Sequence, residues 1–207
     1  SAAEKGGYAH FMLKEIMEQP EAVRRTIQPR LADGEIVFEE LEDERDLMKG
    51  ISRIYLVACG SAYHVGMIGK YALERLLGIP VEACLASEFR YSAPLLGESA
   101  LVIVISQSGE TLDSMAALRE AKRRGSKVLS IVNVMGSSIA RESDHVLYTW
   151  AGPEIAVATT KHIHTDCSSS HAGRLSGQAA GRIETKWGSS GFMACMKDRY
   201  GLKNLEL

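Results

Sequence analysis

Short apolar runs rich in β-branched residues recur along the middle of the chain. Each gives way to a stretch whose apolar residues return with helical spacing. The runs are RIYLVA at 53–58, VEACL at 81–85, SALVIVI at 99–105, KVLSIVN at 127–133 and HVLYTW at 145–150. Each has the length of a buried strand. Between them the spacing predicts a helix over 65–77, stopped by Gly78 with Pro80 just beyond, and another over 112–124, ended by Gly125. A short helix follows the 86–91 segment, and a second short one runs through Arg141 behind the Met135-Gly136-Ser137-Ser138 turn. Strands and helices that alternate with short links form a parallel sheet covered on both faces and joined by right-handed crossovers. The predicted fold is therefore α/β, a three-layer doubly wound parallel sheet of about five strands.

Upstream, residues 10–18 have helical character, and Pro20 begins a further helix over 21–27. Residues 32–40 read as loop with one short extended piece, and the charge-rich 39–49 stretch as a solvated helix. Downstream of Lys161 the pattern stops. Residues 162–207 are rich in Ser, Gly and His and hold no sustained apolar period, so they bury too little surface to offset the entropy of ordering them. The expected division is a helical lead-in over 1–50, the sheet domain over 51–161 and an aberrant tail over 162–207.

Composition narrows the function. A net charge of -2 and a pI near 6.3 argue against binding nucleic acid or another polyanion through bulk charge. No apolar stretch is long enough to span a bilayer, and the first residues lack the apolar core of a signal peptide. Of four cysteines, Cys59 and Cys84 sit in or beside strand-like runs and are expected as buried thiols, which fits a reducing cytoplasm. His162, His164, Cys167 and His171 match no standard zinc spacing, so no metal is expected.

Candidate chemistry concentrates in VIVISQSGETLDS at 102–114. Here a buried strand breaks into a hydroxyl-rich, glycine-containing turn that opens a helix. The first N–H groups of a helix have no internal partner, and the dipole adds about half a positive charge there. Ser106, Ser108 and Thr111 bring hydroxyls and Gln107 an amide, with no Lys or Arg in the turn. Such a turn suits an anion held by neutral donors. It is equally the pattern of a capped turn without a ligand, and both remain open at this level. A second strand-end turn, Cys59-Gly60-Ser61-Ala62-Tyr63, is similarly rich in small residues, and in open α/β sheets ligands gather at the carboxyl ends of strands. The 155–161 stretch should open another helix whose start points the same way. Glu110 reads as dipole compensation, Cys59 as packing, His64 as a helix-start residue without chemistry, and Lys161 as a solvated charge. Glu88 and Arg90 could reach a site or an interface, or simply pair with each other.

ACGSAYHVG (58–66), ASEFRY (86–91), SQSGETLDS (106–114) and PEIAVATTK (153–161) occur in this order. Together they resemble the first SIS (sugar isomerase) subdomain of the glutamine–fructose-6-phosphate aminotransferases, the glucosamine-6-phosphate synthases. KGGYAHFMLKEIMEQP (5–20) resembles the segment that joins the glutaminase domain of those enzymes to the isomerase domain. The resemblance spans about residues 5–161 and implies a flavodoxin-like SIS fold. It implies fructose 6-phosphate or glucosamine 6-phosphate as ligand, a homodimeric parent, and no cofactor, nucleic acid or membrane. It also implies sugar-phosphate contacts by Ser106, Gln107, Ser108 and Thr111, and substrate contacts by Ser61, Val157 and Thr159. Ala62 stands where some relatives have a serine and cannot make that side-chain contact; Thr159 replaces a common serine and keeps the hydroxyl.

The resemblance ends after Lys161, where a continued helix is expected; a reading-frame shift just beyond that codon is the expected cause, to be checked in the underlying DNA. The family's proton-moving glutamate, Schiff-base lysine and ring-opening histidine come from its second SIS subdomain or the partner subunit, and its glutaminase cysteine from another domain. None of those motifs occurs here, so no catalytic residue is assigned and independent catalysis is not expected. Two other readings stand beside this one. A regulator's phosphosugar-binding module predicts an additional DNA-binding or partner domain, and none is visible. A different SIS isomerase is disfavoured by the EQP-containing lead-in.

Overall fold

The computed structural model describes residues 5–32, 35–36, 41, 47, 49–92 and 94–156. In chain order the elements are α1 (Phe11–Met17), α2 (Gln19–Ile27), a 3-10 turn (Gln28–Arg30), β1 (Leu31–Ala32), β2 (Glu35–Ile36), β3 (Arg53–Ala58), α3 (Ser61–Leu77), β4 (Val81–Leu85) and α4 (Ala86–Phe89). They continue with β5 (Ala100–Ser106), α5 (Leu112–Arg123), β6 (Lys127–Val132), α6 (Ser138–Glu142) and β7 (His145–Tyr148).

The five long strands form one parallel sheet in the order β4-β3-β5-β6-β7. The chain enters at β3, steps outward to β4, returns across β3 to β5, and then builds toward the other edge. The order reverses between β3 and β5, and the crevice outside their carboxyl ends is the switch point where such sheets bind ligands. The predicted α/β three-layer sheet is the fold observed.

Alternation within the strands explains the layers. Ile54, Leu56 and Ala58 of β3, with Leu101, Ile103 and Ile105 of β5, face α3 and pack with its Val65, Leu73 and Leu77. Tyr55, Val57, Val102 and Val104 point the other way, onto Phe89 of α4, Ala117, Leu118 and Ala121 of α5 and Ile139 of α6. All seven residues of β5 are buried, because helices cover both of its faces. Each large aliphatic side chain buried this way stabilises the fold by about 1.5–3 kcal/mol.

The lead-in packs onto the segment that leaves β7. The buried Thr26 hydroxyl donates to the Thr149 carbonyl, and Arg30 donates to the Tyr148 carbonyl at 2.6 Å. Helix α2 starts at Gln19 rather than 21, since Pro20 lies in its first turn, where a missing N–H costs nothing. In the 32–40 region two short strands pair antiparallel, Leu31 opposite Ile36, instead of one isolated extended piece. Of the stretch expected to be a solvated helix, Leu47 is buried and Leu41 packs against the same core, so that segment contributes apolar anchors to the α3 side. Residues 42–46 and 48, and the whole of 157–207, including the histidine-rich tail, lie outside the described residues.

Candidate functional site

Two strand ends lie side by side. Ala58 is in register with Ile105, so the turns after β3 and β5 leave the sheet at the same level. Helix α3 then crosses to one face and α5 to the other. Across the gap the buried Ser114 hydroxyl of α5 donates to Cys59 Sγ at 3.7 Å, tying the first turn of α5 to the turn after β3.

The first turn is tighter than its sequence suggests. Helix α3 begins at Ser61, not at Val65, because Gly60 reverses the chain within one residue (φ 56°, ψ -134°). That backbone region is open mainly to glycine. Ser61 is therefore the first helical residue, half-buried at the helix start, and the exposed His64 lies within the helix against the edge of Tyr63.

The second turn is held from inside. Ser106 is buried at the end of β5. Its Oγ accepts the Gly109 N–H at 3.1 Å and lies 3.3 Å from Thr111 Oγ1. Thr111 stands at the N-cap of α5 yet makes no side-chain cap bond, so its hydroxyl belongs to the turn rather than to the helix. Ser108 Oγ accepts the Glu110 N–H at 3.2 Å. Gln107 and Ser108 are half-buried, and no cation lies in the turn. Three further bonds tie the turn to Asn133, just after β6, and to the start of α6. The Gln107 carbonyl accepts the Asn133 N–H (3.2 Å), the Gly109 carbonyl accepts the Ile139 N–H (3.0 Å), and the Glu110 carboxylate accepts the Ser138 N–H (2.8 Å).

Glu110 thus serves α6. The bond from Ser138 holds its carboxyl below the ordinary range. The sign follows: a depressed carboxylate stabilises the fold above its unfolded value, 4.5, and loses that contribution as pH falls through its folded value. The stability gap between the wild type and Glu110→Gln should therefore shrink as pH drops below 4.5 in urea melts recorded at each pH. A gap that widened on acidification would contradict this.

Of the expected contacts, the structure brings together Ser61, Ser106, Gln107, Ser108 and Thr111 at the switch point; Val157 and Thr159 lie outside the described residues. Arg90 does not pair with Glu88: its guanidinium lies over the Tyr91 ring, 5.3 Å from the centroid. Cys59 and Cys84 are free thiols, half-buried rather than fully buried, and burial with Glu82 nearby pushes Cys84 up to about 12. Strand β7 ends at Tyr148, before Trp150, which adopts φ 50°. Asn133, absent from the residues expected above, donates its side-chain amide to the Gly152 carbonyl and accepts the Ala151 N–H on Oδ1, fixing the chain beyond β7. Its position at the end of another buried strand was the available signal. No helix among the described residues is long and apolar enough to cross a membrane.

Comparison with known proteins agrees with this fold. The chain is 57% identical over 165 residues to glutamine--fructose-6-phosphate aminotransferase [isomerizing] of Clostridium tetani, covering 79% of this chain and 27% of that protein. The enzyme of the same name from Caldanaerobacter subterraneus is 58% identical, over 77% of this chain and 26% of the relative. The chain therefore spans about a quarter of the length of these curated relatives. Among solved structures, the C-terminal domain of glucosamine-fructose-6-phosphate aminotransferase from Francisella tularensis superposes with a TM-score of 0.84 at 38% identity, covering 95% of this chain and 55% of that one. Residues 47–173 match the SIS domain, and a chain matched over that span, with this sheet order, belongs to the SIS domain family.

Proposed function

We propose that this chain is the sugar-phosphate-binding part of a glutamine–fructose-6-phosphate aminotransferase, an enzyme that makes glucosamine 6-phosphate from fructose 6-phosphate and glutamine. The observation that carries the reading is the pairing of two small-residue turns at the switch point, bridged by Ser114 and Cys59. In this reading Ser106, Gln107, Ser108 and Thr111 grip the phosphate with neutral donors, helped by the unpaired N–H groups that open α5. Ser61 contributes from the opposite turn, and Val157 and Thr159 from the stretch beyond Ala156. The phosphate carries its own charge, so donors without charge hold it while leaving release easy. The chain's role is to bind and orient; proton transfer and imine chemistry belong to the remainder of the enzyme, working in the cytoplasm as a homodimer.

The test is calorimetric titration of the chain with fructose 6-phosphate. Replacing Ser108 and Thr111 together by Ala removes two hydroxyl donors and should weaken binding about ten-fold or more. Affinity unchanged in that double variant would refute the assignment of the phosphate to this turn.

A further inference from the structure

Glu110 is out of keeping with the turn that holds it. A carboxylate beside a phosphate dianion repels it, and the turn's other polar side chains, Ser106, Gln107, Ser108 and Thr111, are all neutral. Being exposed, the carboxylate needs no protein donor to stay solvated. The structure nevertheless turns it onto α6. It accepts the N–H of Ser138, the first residue of that helix, at 2.8 Å, and Arg141 of the same helix offsets part of its charge. Two main-chain carbonyls of the turn point to the same side, Gln107 to the Asn133 N–H and Gly109 to the Ile139 N–H. A trans peptide sets its N–H opposite its carbonyl. The amides of Ser108 and Glu110 therefore face away from β6 and α6, on the side of β5 where β3 lies. The Ser108 N–H has no hydrogen-bond partner among the described residues. The Glu110 N–H donates to Ser108 Oγ at 3.2 Å, so that hydroxyl accepts within the turn and keeps its own proton to give outward.

We propose that Glu110 is a positioning residue for the phosphate turn. Its carboxylate anchors residue 110 to the start of α6, and the anchored main chain holds the Ser108 hydroxyl and the Ser108 N–H in the pose that receives a phosphate monoester. The inference rests on the reading of this turn as the sugar-phosphate grip. A turn already held in its bound shape loses less freedom when the ligand arrives, so the anchor raises affinity without touching the ligand. The role requires the reach of the side chain; its charge by itself opposes the ligand.

The experiment titrates fructose 6-phosphate, and separately inorganic phosphate, into the full chain as wild type, Glu110→Ala, Glu110→Asp and Glu110→Gln, at low salt and at about 1 M NaCl. Glu110→Asp keeps the charge and is one methylene short of Ser138; Glu110→Gln drops the charge and keeps an acceptor of the right length. The alanine and aspartate variants should each weaken both ligands about five- to ten-fold, by the same factor at either salt concentration. The glutamine variant should bind at least as tightly as the wild type. Amide hydrogen exchange at Ser138 should quicken in the first two and stay slow in the third. Glu142→Ala frees the far end of α6 from Arg119 without touching the turn, and should leave affinity unchanged. Where the alanine variant does not fold, the aspartate variant carries the same comparison. Three outcomes overturn the positioning role: aspartate binding like the wild type, a tightening in alanine that high salt erases, or an equal loss in Glu142→Ala. In each of them, weakened binding in Ser108→Ala/Thr111→Ala leaves the proposed function standing. A wild type that does not bind fructose 6-phosphate overturns both.

Discussion

Gly109→Ala is expected to destabilise the protein by about 2–4 kcal/mol and to abolish sugar-phosphate binding. Two costs add. Gly109 adopts φ +66°, where a Cβ costs about 1–2 kcal/mol. A Cβ built there would also overlap the side chain of Ser137, Cβ included, which is buried at the N-cap of α6. The turn cannot relax away, because Gly109 is held on both sides, by Ser106 through its N–H and by Ile139 through its carbonyl. The control is Gly125→Ala, at φ +81° with nothing within 4 Å, which should show the conformational cost alone. Adding Ser137→Gly to Gly109→Ala should recover the overlap part, since glycine is tolerated at an N-cap. Equal losses at Gly109 and Gly125 in urea denaturation would mean that the crowding against Ser137 is absent in solution.

Phe89→Ala should cost about 3–5 kcal/mol, with the urea m-value unchanged. Phe89 is fully buried and ends the four-residue α4. So short a helix has little stability of its own and is held by that ring. The ring meets Tyr55 of β3 edge-on, 5.7 Å between centroids at 73°, and Tyr55 in turn accepts the Leu95 N–H through its hydroxyl. Truncation opens a cavity between β3 and α4 and loosens the loop toward β5. Phe89→Leu keeps most of the volume and should lose less than about 1.5 kcal/mol. Against a total stability of about 5–15 kcal/mol, the alanine variant would be detectably unfolded at modest denaturant.

The central strands β3, β5 and β6 stood out in the sequence because burial on both faces turns each into a short β-branched run of six or seven residues, while the edge strands β4 and β7, with one buried residue each, stood out by their place in the alternation with helices. Helices α3 and α5 stood out by their apolar spacing and the glycines beyond them. The boundaries slipped where a single backbone conformation decided them. Gly60 starts α3 four residues early, and Trp150 at φ 50° lies beyond a strand that has already ended. The candidate turn at 106–111 was legible as hydroxyls around a glycine. Which hydroxyl does what was not: Thr111 occupies a capping position and bonds to Ser106 instead.

The sequence by itself determined the kind of elements, their order, and which strand ends carry small polar residues, because each is written in neighbouring side chains. Only the tertiary structure decided that β3 and β5 are adjacent, that Ser114 reaches Cys59, that Ser137 crowds Gly109, and that Glu15 holds Ile155 and Ala156. Those contacts join residues 28 to 141 positions apart, where no local period or spacing records the partner. Strand order and packing bring them together, and with them the crevice at the ends of β3 and β5.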